Sequence, residues 1–178
     1  RNAARFIQEG GAQAVKLEGG VTVAEKVRRI VECGIPVMGH IGLTPQSIHQ
    51  LGGHKIQGKT PEAAARLLED AKTLEKAGAF AIVLETVPSQ LAKIITQKIV
   101  IPTIGIGAGA GCDGQVLVIN DILSLSDFIP KHAKQYAKLA DIIRNAVTEF
   151  YNEVKTGSFP TDKQSFSVDE SILAELTK

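Results

Sequence analysis

The 178 residues are 44% hydrophobic and 22% charged, a balance that suits one globular domain with a sizeable core. Lys and Arg number 20 against 19 acids, so the net charge of +1 gives no bulk pull toward nucleic acid or an anionic membrane surface. No apolar run approaches a membrane span, and with no Trp and only 4% aromatic residues there is no platform for stacking bases.

The chain opens Arg1-Asn2-Ala3-Ala4-Arg5-Phe6, without Met and already in a helical pattern that reads to Glu9. It looks like the middle of something longer. No signal-peptide pattern appears, so a cytoplasmic protein is expected, with Cys33 and Cys112 as two reduced thiols. Ala14 to Glu18 reads as a short strand closed by Gly19-Gly20. Thr22 and Glu25 then form a potential capping box for a helix from Val23 to Cys33. Pro36 opens a strand over Val37 to Ile41, and a polar, glycine-bearing stretch runs from Gly42 to Lys59.

Thr60-Pro61-Glu62 is a helix start, since Thr caps and Pro fits the first turn; that helix runs through Ala63 to Lys76. Phe80 to Leu84 is an uninterrupted apolar run ending in Glu85, the mark of a strand buried on both faces of a parallel sheet. A helix from Pro88 to about Lys98 follows. Pro102 to Gly107 and Gln115 to Ile119 read as the last two strands, and a long amphipathic helix spans about His132 to Lys155. The expected organisation is one α/β domain over residues 1–157 and a loosely ordered tail over 158–178.

Alternating strands and helices imply a parallel sheet, either a doubly wound open sheet or a barrel. Polar residues recur at the carboxyl ends of the strands, as in barrel enzymes, which draw site residues from the ends of several strands. A (β/α)8 barrel is therefore expected, with about five of its eight strands present and about three upstream of Arg1.

The candidate chemistry lies at those strand ends. Lys16 and Glu18 share one face of their strand, being two residues apart. They are either a satisfied internal ion pair or site residues, and burying both among apolar neighbours without a purpose is costly. Glu85 is either a cap for the next helix or a desolvated carboxylate able to accept a proton. His40 is either a hydrogen-bonded structural residue or a site group. His49 and His54 occupy a polar loop with no further ligands spaced for zinc. Gly109, Gly111 and Gly114 formally fit a dinucleotide fingerprint, but the residues that follow read as a strand, not a helix. The glycine loop is better read as letting backbone approach a ligand or a neighbouring loop.

Several ordered blocks resemble the ketopantoate hydroxymethyltransferases: Val15-Lys16-Leu17-Glu18-Gly19-Gly20, Pro36 through His40 to Gln46, Gly52 to Gly58, Val83-Leu84-Glu85, Ile104 to Gly109, and Asp113 to Val118. The resemblance implies a (β/α)8 barrel of the phosphoenolpyruvate mutase type, assembled as a homodecamer. It implies transfer of a one-carbon unit from 5,10-methylenetetrahydrofolate to 3-methyl-2-oxobutanoate, giving 2-dehydropantoate for pantothenate and coenzyme A synthesis. It implies a magnesium ion holding the keto acid, Glu85 as catalytic proton acceptor, Lys16 as a keto-acid-binding residue, Glu18 as a metal-site carboxylate and His40 lining the same pocket. Two metal-binding aspartates and a substrate-binding serine of the family stand on upstream strands that this chain does not contain. Poor binding of magnesium and keto acid by the chain alone is therefore expected. Two other readings are a metal-dependent C–C lyase or mutase of the phosphoenolpyruvate mutase and isocitrate lyase group, and a barrel fragment without activity of its own.

Overall fold

The structure, a computed structural model, describes residues 1–173. The last five residues of the expected tail lie outside the described residues. Five strands form one parallel sheet in chain order: β1 (Val15–Glu18), β2 (Val37–Gly42), β3 (Ala81–Glu85), β4 (Thr103–Ile106) and β5 (Gly114–Gln115). Helices α2 (Ala24–Glu32), α3 (Pro61–Lys76) and α4 (Ser89–Lys98) connect the first four strands, and α1 (Asn2–Gln8) precedes them. Sequential neighbours in an all-parallel sheet with helical crossovers are the pattern of a partial TIM-type barrel.

The chain forms two compact units. One comprises Arg1–Val118 and Pro130–Ala133 and holds the sheet and α1 to α4. The other comprises Ile119–Ile129 and the chain from Lys134, with α5 (Ile119–Ile122), α6 (Leu139–Thr156) and α7 (Glu170–Leu173).

Side-chain alternation sorts the sheet into two faces. Val37, Ile41, Ile82 and Leu84 point toward the helices, where they join Val27, Leu67, Ala71, Leu74, Ala92 and Ile95 in one core. Each fully buried large aliphatic side chain here contributes roughly 1.5–3 kcal/mol. The opposite face carries Lys16, Glu18, Met38, His40, Val83, Glu85, Ile104 and Ile106, by the same alternation. In β3 the residues Ala81 to Leu84 are all buried, as the unbroken apolar run implies. Thr60 caps α3 by accepting the Ala63 N–H at 3.2 Å, with Pro61 in the first turn.

Three local expectations are corrected. Thr22 caps nothing: it sits inside a 3-10 turn over Val21–Val23, and α2 begins at Ala24 without a side-chain cap. The Val21 N–H is satisfied instead by Asp70 Oδ1 at 2.8 Å, and Glu25 pairs with Arg28 and Arg29. The last strand is Gly114–Gln115, not Gln115 to Ile119. β4 pairs with it only through Ile104 and Gly105, then enters the glycine loop, so Leu117 and Val118 find no ladder. Helix α6 starts at Leu139 rather than near His132. The Tyr136 and Ala137 amides donate to the Ile122 carbonyl, and the Leu139 amide donates to Leu123, which holds that segment out of helical geometry.

Candidate active site

Parallel register brings three titratable side chains to the carboxyl end of one face. Glu18 on β1 stands opposite His40 on β2, and Gly42 on β2 stands opposite Glu85 on β3. The imidazole of His40 is 1% exposed and lies between the two carboxylates. Its Nδ1 is 3.6 Å from Glu18 Oε1, and its Nε2 is 3.1 Å from Glu85 Oε2. Neither approach has hydrogen-bond geometry, so both ring nitrogens are buried without a partner among the described residues. Buried polar atoms are rarely left so without a ligand, a water or a mechanistic reason.

The carboxylates are also mostly buried, Glu18 at 10% and Glu85 at 18% exposed. Glu18 accepts the backbone N–H of Gln46 on Oε2 at 3.0 Å, which leaves Oε1 toward His40. The backbone at Glu85 is clamped: its carbonyl accepts from Leu43 at 2.8 Å, and the next amide, Thr86, donates to Ile106 at 2.8 Å. Thr86 holds φ at +52°, a strained value for a β-branched residue and one that clusters at active sites. Gly42 makes the close approach possible. Its φ is +93°, and a Cβ there would stand 2.2 Å from the Glu85 carbonyl oxygen.

The glycine loop approaches helix α4. A Cβ on Gly109 would stand 2.4 Å from that of Ser89. The loop is pinned by Asp113, which accepts the N–H and hydroxyl of buried Thr103 at 2.8 and 3.0 Å, and by Gln115, which donates to the Gly109 carbonyl at 2.9 Å. Burial pushes the Cys112 thiol up, against weaker opposition from the Thr103 and Thr96 hydroxyls.

Residues 1–162 match the family model described as ketopantoate hydroxymethyltransferase. The chain belongs to the ketopantoate hydroxymethyltransferase family. A Dehalococcoides mccartyi protein named 3-methyl-2-oxobutanoate hydroxymethyltransferase is 68% identical over 178 residues, covering 99% of this chain and 64% of that relative. Proteins of the same name from Clostridium botulinum and Clostridioides difficile are 59% and 56% identical over 177 residues, with the same coverage of 99% and 64%. The chain thus spans about 64% of the length of the curated relatives it matches.

In this ketopantoate hydroxymethyltransferase family member, Glu18, His40 and Glu85 converge, whereas Lys16 does not join them by an ion pair. Lys16 is exposed, on a strand that pairs only with β2 among the described residues, so of the two readings of Lys16 and Glu18 the satisfied internal ion pair does not form. Among the described residues no three His, Cys, Asp or Glu side chains are placed to hold a metal ion. Glu18 offers one oxygen free of protein donors, which fits a hard cation as one carboxylate ligand of the one or two that magnesium commonly takes. The Gln46 amide and Thr86 escaped the sequence reading. Thr44-Pro45 carries the same turn-start signal as Thr60-Pro61, and the structure forms a 3-10 turn there over Pro45–Ser47.

Proposed function

We propose that this chain carries the acid–base part of a hydroxymethyltransferase site that acts on 3-methyl-2-oxobutanoate. The observation behind this reading is the Glu18–His40–Glu85 cluster at the ends of three adjacent parallel strands, in a chain of this family. Glu85 takes the proton from the carbon next to the ketone. That carbon then bonds to the methylene carbon of 5,10-methylenetetrahydrofolate, tetrahydrofolate leaves, and water supplies the hydroxyl of 2-dehydropantoate. Lys16 offsets the negative charge of the keto acid, and His40 lines the pocket and contacts the substrate. Glu18 is the carboxylate of this chain that would hold a magnesium ion. Such an ion, when bound, stabilises charge developing on the substrate oxygens. The family resemblance also supports assembly as a homodecamer.

A Glu85→Gln variant of the whole protein tests the reading. The measurement is exchange of the keto acid's C3 hydrogen with D2O, which needs no folate. Loss of a positioned base should slow it by about 10²–10⁴-fold. An unchanged rate removes Glu85 from the mechanism. Product formation only when methylenetetrahydrofolate is present separates this reading from a lyase or mutase.

A further inference from the structure

The two carboxylates are tied together by one loop. The chain leaves β2 at Gly42 and returns at Gln57. At its start the Leu43 N–H donates to the Glu85 carbonyl at 2.8 Å, and at its end the Gln57 N–H donates to the Thr86 carbonyl at 3.0 Å. The loop therefore begins and ends on the same two-residue segment. Between those anchors, the Gln46 N–H donates to Glu18 Oε2 at 3.0 Å. The turn that presents this amide is held by the Ser47 N–H on the Thr44 carbonyl at 2.9 Å, and Thr44 itself is buried. The Gln46 side chain is exposed, and only its backbone N–H reaches Glu18.

We propose that Gln46 is a positioning residue whose backbone amide fixes the Glu18 carboxylate through Oε2, leaving Oε1 as the oxygen available to a divalent cation, and that the Leu43–Gln57 loop holds Glu18 in register with Glu85. The inference rests on the roles given to Glu18 and Glu85 above. Its physical basis is that an amide hydrogen bond to a carboxylate is charge-assisted and directional. Magnesium tolerates little departure from octahedral geometry, so a ligand free to rotate would bind it less well. Partners that orient ligands typically matter by 10–100-fold in metal affinity or activity.

The decisive variant replaces Gln46 in the whole protein with the corresponding α-hydroxy acid, so that an ester removes the N–H and keeps the side chain. Mn2+ serves as a paramagnetic probe of the cation site. The ester should weaken Mn2+ affinity by about tenfold or more, and Gln46→Ala should not. Ester protein that binds Mn2+ within about twofold of the parent, while Glu18→Gln loses it, overturns the proposal and leaves the metal role of Glu18 intact. If Glu18→Gln also keeps full Mn2+ affinity, that metal role fails and the inference falls with it. Amide hydrogen exchange gives a test that does not require the ester to fold. Glu18→Ala should speed exchange at Gln46 by about tenfold or more while leaving Ser47, bonded to Thr44, unchanged. Equal protection of Gln46 with and without the Glu18 carboxylate overturns it.

Discussion

The Nε2 of His40 stands 3.1 Å from Glu85 Oε2 without hydrogen-bond alignment, and its Nδ1 stands 3.6 Å from Glu18 Oε1. The imidazole is buried, with a mostly buried carboxylate facing each of its nitrogens.

His40→Leu is expected to cost stability, by about 1–3 kcal/mol, because it removes the imidazole that lies between two mostly buried carboxylates. The same substitution should lower the keto-acid exchange rate of the whole protein by at least about tenfold. Urea unfolding and the D2O exchange assay measure the two effects. A variant that is as stable as the parent and fully active contradicts this account.

Gly42→Ala should be severe for two independent reasons. The added Cβ meets the Glu85 carbonyl at 2.2 Å, and the backbone sits at φ +93°. A loss of about 2 kcal/mol or more is expected, beyond the usual range for surface changes. The displaced Glu85 backbone should also reduce activity in whatever fraction still folds. An unchanged denaturation midpoint would show that β2 and β3 separate more easily than their packing implies.

The two thiols should differ in reactivity. Cys33 is exposed, whereas Cys112 is partly buried and burial raises its pKa. At any pH below that raised value, Cys112 holds less thiolate than an ordinary thiol, and the thiolate is the reactive form. Alkylation near pH 8 should therefore label Cys33 first, with Cys112 catching up as pH climbs. Peptide mapping of a timed iodoacetamide reaction reads the order.

The chain by itself should bind magnesium and the keto acid weakly. Among the described residues no three His, Cys, Asp or Glu side chains are placed to hold a metal ion, and Glu18 alone would supply too few ligands. Calorimetry on the 178-residue chain is expected to show no tight keto-acid site with magnesium present. Tight binding would mean that the cluster is more complete than its geometry indicates.

Four of the five strands were legible because apolar runs ended at Gly, Pro or an acid: Glu18, Gly42, Glu85 and the glycine loop each mark a strand end. The residues for which the period or cap signal misled are Thr22, Val116 to Ile119 and His132 to Lys138. At each, a distant partner decided the outcome: Asp70 took the Val21 amide, β4 turned away after Ile106, and the carbonyls of Ile122 and Leu123 captured the amides before α6.

By itself the sequence determined that Glu18, His40 and Glu85 stand at the ends of strands of a parallel α/β fold, because period-two alternation and strand punctuation are local properties of the chain. Only the tertiary structure decided that His40 lies between the acids, that Lys16 is exposed, and that the Gln46 amide holds Glu18. Those relationships depend on strand register and on a loop that returns to its own starting point. Both bring together residues tens of positions apart, which no local pattern encodes.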